Sequence, residues 1–106
     1  EPVKVRDLAF TPSVAKTAGS FVTIGTSATA NAASEVENCT FVSAWDADHL
    51  ANAAMASVLN CYFASTKNVG VLIDSPNYDT GDNVISGNLF DAGSNGVGQE
   101  AVRLVS

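Results

Sequence analysis

The chain has 106 residues and a formal net charge of −6, with 46% apolar and only 15% charged residues. This length allows a single domain spanning residues 1–106, and the composition excludes a disordered chain and a coiled coil. The negative charge argues against partners such as nucleic acid or an anionic membrane surface. No apolar run reaches the roughly 18 residues of a membrane span, so no membrane insertion is expected.

A six-residue pattern recurs four times along the chain. In each copy an aliphatic residue stands five places before a Phe, and Asp, Asn or Gly stands three places before that Phe. The copies are Val5–Phe10, Val36–Phe41, Val58–Phe63 and Ile85–Phe90, at successive offsets of 31, 22 and 27 residues. Repetition with a period of about 20 to 50 residues is typical of solenoids, in which each unit buries its apolar face against its neighbours.

The third residue of each copy predicts a bend. An extended strand would place the aliphatic residue and the Phe on opposite faces, because they are five positions apart, an odd number. Both can face one interior only if the chain turns between them, and Asp, Asn and Gly tolerate the left-handed backbone conformation that such a turn uses. After the corner, Cys39 and Phe41 are predicted to point inward and Thr40 outward. The predicted corners are Asp7, Asn38, Asn60 and Gly87.

A second short apolar strand follows each copy after a turn of variable length. These strands are predicted at residues 21–24, 48–50, 71–73 and 101–104. The segments between strands are rich in Gly, Pro, Asn or small residues, which predicts turns or loops at 11–20, 25–34, 51–56, 74–83 and 91–98. Each unit therefore reads as strand, corner, strand, turn, strand, turn.

This pattern resembles the right-handed parallel β-helices of the pectate-lyase-like superfamily, and especially the stems of bacteriophage tailspikes. The resemblance covers nearly the whole chain and rests on the repeat rather than on an invariant motif. It implies an all-β fold, a right-handed parallel β-helix (a solenoid) of about four coils, stacked about 4.8 Å apart. Without capping helices, such a chain is expected to be a piece of a longer β-helix or to be covered by partner chains. The resemblance to tailspikes further implies that the chain forms a homotrimer.

Two cysteines occupy equivalent positions in successive copies. A disulfide between Cys39 and Cys61 is sterically conceivable at the spacing of neighbouring strands. We favour instead two free thiols that stack as small apolar side chains. Two Cys and one His cannot complete a zinc site without suitably spaced carboxylates, so neither a metal nor a cofactor is expected.

The segment from Trp45 to His49 holds the most promising side chains for chemistry. Trp45 is either a stacking platform for a sugar ring or a cover for a corner of the coil. Asp48 aligns with the inward residues Val22 and Val71, a position that would bury its carboxylate. We favour a one-residue shift that turns Asp48 towards solvent instead.

Glycoside hydrolysis needs two carboxylates, about 5–5.5 Å apart for retention and about 6.5–9.5 Å apart for inversion. The catalytic candidates are Asp46, Asp48 and Asp91, and two coils would separate Asp46 from Asp91 by roughly 9–10 Å. The substrate-binding candidates are Trp45, His49 and Glu37. No basic residue groups with the acids as a polysaccharide lyase would require, so a glycoside hydrolase is favoured over a lyase.

These residues and the resemblance together imply a segment of a tailspike-like protein. Such a segment binds bacterial surface polysaccharide, with or without depolymerising it, and belongs to the virion (the phage tail) or to the extracellular space. The alternative is a purely structural, trimeric β-helix stem without catalytic activity. Apolar side chains on predicted outward rows, such as Leu72 and Tyr62, favour this alternative.

Overall fold

The computed structural model describes residues 2–26, 31–74, 82–91 and 100–105, and the regular elements in these ranges are all β-strands. The prediction of an all-β chain is thereby confirmed. Residues 75–81 and 92–99, which form most of two predicted turns, lie outside the described residues. The strands are β1 (Lys4–Arg6), β2 (Ala9–Phe10), β3 (Ser20–Ile24), β4 (Asn31–Ala32), β5 (Glu35–Glu37), β6 (Thr40–Val42), β7 (Asp46–Ala51), β8 (Ala53–Ala54), β9 (Ser57–Leu59), β10 (Tyr62–Ala64), β11 (Val69–Asp74), β12 (Val84–Ser86), β13 (Leu89–Asp91) and β14 (Glu100–Val105).

The strands form parallel sheets that each take one strand from successive repeats. The first sheet has the order β1-β5-β9-β12, the second β2-β6-β10-β13, the third β3-β7-β11-β14, and a short fourth sheet pairs β4 with β8. We call β1–β4 the first repeat, β5–β8 the second, β9–β11 the third and β12–β14 the fourth. Every pairing between described strands is parallel and in the register of the sequence repeat. This arrangement is compatible with a parallel β-helix.

The corners between the first and second sheets confirm the predicted bends. Asp7, Asn38, Asn60 and Gly87 all have positive φ, between 52° and 68°. The corner amides bond to the next repeat, since Asn38 N–H donates to Leu59 O at 3.0 Å and Asn60 N–H donates to Ser86 O at 3.0 Å. The side chains stack as well, because Asn38 Nδ2 donates to Asp7 Oδ1 at 2.7 Å. The left-handed corner thus lets the chain turn without losing hydrogen bonds between repeats.

The residue after each of the last three corners contacts the repeat before it. Asn88 does this most fully, because its Oδ1 accepts from Cys61 N–H at 2.7 Å and its Nδ2 donates to Val58 O at 2.9 Å. In the third repeat the Cys61 thiol occupies the same position and lies 3.8 Å from Val36 O. A second amide acts in the same way, since Asn83 bonds to the Ala56 N–H and the Ala53 carbonyl.

Stacked Phe rings form the centre of the core. Phe10, Phe41, Phe63 and Phe90 lie one above another with ring centroids 5.0, 5.2 and 4.5 Å apart. These separations follow the spacing of neighbouring strands, and nearly parallel offset rings are a favourable aromatic arrangement. The ring of Phe90, which belongs to the second sheet, lies against Gly70 in the third sheet. A Cβ added at Gly70 would come within 2.7 Å of this ring. Phe41 and Phe63 are buried, as predicted, and so are Cys39 and Cys61.

The fourth sheet corrects the sequence prediction. Residues 25–34 and 51–56 were expected to be loops or turns, yet they contain β4 and β8, which pair Asn31 with Ala53 and Ala32 with Ala54. Left-handed residues follow these short strands, Ala33 at φ 62° and Met55 at φ 53°. Neither Ala nor Met favours this conformation, so the pairing between repeats imposes it.

Replacing Asn88 with Ala should lower the free energy of unfolding by about 2 kcal/mol, because the Cys61 N–H and the Val58 carbonyl lose their partner. Urea unfolding followed by circular dichroism measures the change. The matched control is Ser86→Ala, at an exposed position two residues earlier, which should stay within about 0.5 kcal/mol of the parent. Equal stabilities of the two variants would contradict the role assigned to Asn88.

Candidate functional site

The segment around Trp45 lies where the chain enters the third sheet. Trp45 is partly buried and precedes β7. Its carbonyl oxygen accepts from Asn68 N–H at 2.9 Å and from Val69 N–H at 3.2 Å. These bonds hold the backbone of Trp45 against the equivalent turn of the next repeat. The Cα atom from which the indole side chain extends is therefore fixed at this edge of the sheet.

A polar network runs from Asp46 across the next two repeats. Asp46 Oδ1 accepts from Asn68 Nδ2 at 2.8 Å, and Asn68 Oδ1 lies 3.5 Å from Arg103 Nη2. Arg103 in turn donates through Nε to Glu100 Oε1 at 3.0 Å. We call Asp46, Asn68, Glu100 and Arg103 the polar network. It brings carboxylate, amide and guanidinium groups together, beginning at the residue that follows Trp45, and these are the groups that recognise hydroxyl-bearing ligands.

The polar network holds the Glu100 carboxylate in the ionised form. The Arg103 hydrogen bond lowers the pKa of Glu100, and the same pair raises the pKa of Arg103. Asp46 adds a smaller contribution to the shift of Arg103 through its charge. A general acid needs the opposite shift, towards higher pKa. Glu100 is therefore suited to binding or orienting a ligand rather than to donating a proton.

The carboxylate pairing in the structure differs from the one considered from the sequence. Asp46 opens β7 in the third sheet, whereas Asp91 ends β13 in the second sheet. Asp46 and Glu100 instead align with Val69 from opposite sides, which places their backbones two strand spacings apart, roughly 9.6 Å. Asn68 completes this group and was missed from the sequence, because a lone Asn in a turn carries no distinguishing signal.

Asp48 lies in the interior, and the favoured one-residue shift towards solvent was wrong. Its register places it between Val22 and Val71, and its exposed fraction is 0%. Neither carboxyl oxygen has a hydrogen-bond partner among the described residues. Burial raises the pKa of Asp48 to about 8, which keeps it protonated at neutral pH. The register of the neighbouring strands outweighs the cost of burying this side chain.

The two cysteines are free and buried, as the favoured interpretation predicted. The Cys39 thiol lies 3.4 Å from Glu37 O, and the Cys61 thiol lies 3.4 Å from Leu59 O. Burial raises the pKa of Cys61 to about 11, and the charges of Asp48 and Cys39 act in the same direction. A thiol with such a pKa is a weak nucleophile at neutral pH, so Cys61 contributes packing.

The remaining candidates lie on outer rows of separate sheets. His49 Nε2 lies 3.6 Å from Asp74 Oδ2 on the third sheet, where the register places His49 between Thr23 and Leu72, as predicted. Glu37 lies on the first sheet between Arg6 and Leu59. These two side chains therefore belong to different sheets, and neither is hydrogen-bonded to the polar network in the described contacts.

Asp91 meets an aromatic side chain on the second sheet. Tyr62 Oη donates to Asp91 Oδ2 at 3.0 Å, and both side chains are exposed. The hydrogen bond and the charge of Asp91 raise the pKa of Tyr62. This pair was not anticipated from the sequence, because Tyr62 precedes Asp91 by a full repeat.

Comparison with known proteins identifies no relative: no protein-family model, curated protein or solved structure matches this chain. The described residues contain no group of three or more His, Cys, Asp or Glu side chains placed to hold a metal ion. Nor do they include a helix of the length and apolarity that a membrane crossing demands.

Asp48 should make stability depend on pH. The folded protein retains a proton up to about pH 8 that the unfolded chain releases near pH 3.8. The contribution is fully present below pH 3.8 and is lost as the pH rises to about 8, with a slope of at most about 1.4 kcal/mol per pH unit. Urea unfolding between pH 4 and 9 measures this slope, which Asp48→Asn should remove.

Two further variants complete the pH experiment. Asp46→Asn is the matched control on the same strand and should keep the slope of the parent protein. Asp48→Val restores the row of Val22 and Val71 and should be more stable than the parent at pH 8. An unchanged slope in Asp48→Asn would show that Asp48 titrates normally in the folded state.

Proposed function

We propose that the chain is a segment of a right-handed parallel β-helix of about four coils, from a tailspike-like protein that binds bacterial surface polysaccharide. The in-register parallel sheets support the β-helix, because each strand pairs with its equivalent in the next repeat. The resemblance to tailspike stems supports the remainder, including a homotrimer and a location in the virion or outside the cell.

The observation that carries the binding proposal is the polar network, which begins at Asp46, directly after the partly buried Trp45. An indole ring suits the apolar face of a pyranose, while Asp46 and Asn68 offer an acceptor and amide groups to its hydroxyls. The bonds from Trp45 O to the next repeat fix the backbone of Trp45 next to the backbone of Asn68. Fixed groups lose little conformational freedom when a ligand binds.

Binding is favoured over hydrolysis by the state of the acids. Asp48 has the raised pKa of a general acid but is buried, whereas Glu100 is exposed and has a lowered pKa. If the intact protein depolymerises its ligand, Asp46 and Glu100 are the acids that the polar network brings together, with backbones roughly 9.6 Å apart. Arg103 joins these acids, contrary to the expectation that no basic residue groups with them, so the ground for preferring a hydrolase over a lyase is lost.

A second candidate function is a structural stem with trimer contacts on its outer faces. It is favoured by exposed apolar side chains on the second sheet, where Tyr62 is 36% and Leu89 61% exposed. In this alternative, contact with other copies would cover those side chains. Glycan binding and trimer assembly are separable by measurement, because retention on a polysaccharide reports the first and the mass in light scattering reports the second.

Replacing Trp45 with Ala should weaken retention on bacterial capsule and O-antigen polysaccharides about tenfold, because an aromatic anchor is lost. The separate variant Asp46→Ala should also weaken retention, because the hydrogen bond from Asn68 is lost. Affinity electrophoresis measures retention, with Thr23→Ala, exposed on the same sheet, as the matched control. Light scattering on the same samples should show an unchanged mass.

New reducing ends and the ultraviolet absorbance of unsaturated uronates are followed in parallel. Reducing ends without absorbance identify a hydrolase, and both signals together identify a lyase. Retention that is the same in Trp45→Ala, Asp46→Ala and the parent protein would refute the proposed site. Absence of retention on every polysaccharide would favour the structural stem.

A further inference from the structure

The outer face of the second sheet differs chemically from those of its neighbours. The first sheet carries two rows with charges, among them Lys4 and Glu35, whose side chains pair at 3.4 Å. The second sheet carries one row of Ala9, Thr40, Tyr62 and Leu89 and another of Val42, Ala64 and Asp91. Asp91 is the single charged residue in these two rows. This face is thus largely apolar, with one carboxylate at its edge.

A hydrogen bond between Tyr62 and Asp91 holds the Tyr62 ring in one orientation on this face. The hydrogen bond from Tyr62 Oη to Asp91 Oδ2 ties the ring to the end of the neighbouring strand. Leu89 stands directly beside Tyr62 in the register and is 61% exposed. A flat ring, an aliphatic side chain and a carboxylate acceptor therefore lie on one exposed surface.

We infer that the outer face of the second sheet binds a neutral saccharide, with Tyr62 and Leu89 contacting the apolar face of a sugar ring and Asp91 accepting from its hydroxyls. This inference rests on the proposed polysaccharide function and adds both a second contact surface and the charge class of the ligand. A ligand that fits the surface needs an apolar face and hydroxyl donors together, and a pyranose has both.

The charge of the surface selects a neutral sugar over an acidic one. Asp91, on this face, repels a uronate or sialate carboxylate at close range, because like charges repel. At the first contact surface, Arg103 is already paired with Glu100. The net charge of −6 acts in the same direction over a longer range.

Affinity electrophoresis of the full chain tests this inference with defined probes. The neutral probes are dextran, mannan and galactan, and the acidic probes are polygalacturonate and polysialic acid. We expect retention by a neutral probe, about tenfold weaker in Tyr62→Ala because a stacking aromatic is removed. Tyr62→Phe keeps the ring and should lie between the two. Val84→Ala, at an apolar position 50% exposed on the first sheet, is the matched control and should bind like the parent protein.

The outcomes separate this inference from the proposed function. Retention that falls in Trp45→Ala but not in Tyr62→Ala overturns the inference and leaves the proposed function standing. Retention by the acidic probes alone overturns the choice of a neutral sugar. A lower mass of Tyr62→Ala in light scattering, with unchanged retention, assigns the face to contacts between copies and also overturns the inference. Absence of retention by every probe, with retention on a bacterial capsule or O-antigen polysaccharide, overturns the inference and leaves the proposed function standing.

Discussion

In-register parallel pairing between repeats is the constraint on which the rest of this structure depends. Each residue lies beside its equivalents in the neighbouring repeats, so one position along the chain becomes a row through the molecule. A row tolerates a new side chain only if the residues beside it leave space and partners. Phe90 and Gly70 illustrate this relation, because the ring occupies the volume that a Cβ at position 70 would need.

The same constraint explains the treatment of polar groups. At the corner, backbone amides alternate between bonds to the following and preceding repeats, and Asn88 supplies the bonds that the backbone of its own repeat does not make. Asp48 shows the opposite case, a carboxyl group without a partner among the described residues that its register holds inside the protein. The free energy gained by pairing the whole strand exceeds the free energy that is lost by burying one carboxyl group.

Much of this fold was predictable because some residue types indicate the backbone conformation at their position. Asp7, Asn38 and Gly87 belong to the types that accept positive φ, and their fixed distance from a Phe located both the corner and the register. Ser43 and Ser65 also have positive φ, 54° and 55°, but Ser gives no such signal. These bends arise from stacking between repeats, which one repeat read alone does not reveal.

The candidate site was predicted less completely than the fold. Trp45 and Asp46 stood out as an aromatic residue and an acid in one turn, whereas Asn68 and Glu100 join them only through the third sheet. The pairing of Tyr62 with Asp91 depends in the same way on the alignment of β10 with β13. Contacts between repeats require the exact offset of each row, and the lengths of the turns change that offset from one repeat to the next.

The variable turns have a consequence for how such a chain can diversify. The corner between the first and second sheets has the same length in all four copies, while the connection from the second sheet to the third spans residues 11–19 in the first repeat and only 43–45 in the second. Register is nevertheless restored at Ser20 and Asp46, which pair with each other. Extra residues in that connection change the outer surface without shifting a single row of the core, since lengthening a loop costs little. The connection is therefore a natural position for insertions, where new surface chemistry can be acquired or a foreign peptide displayed on an unchanged frame.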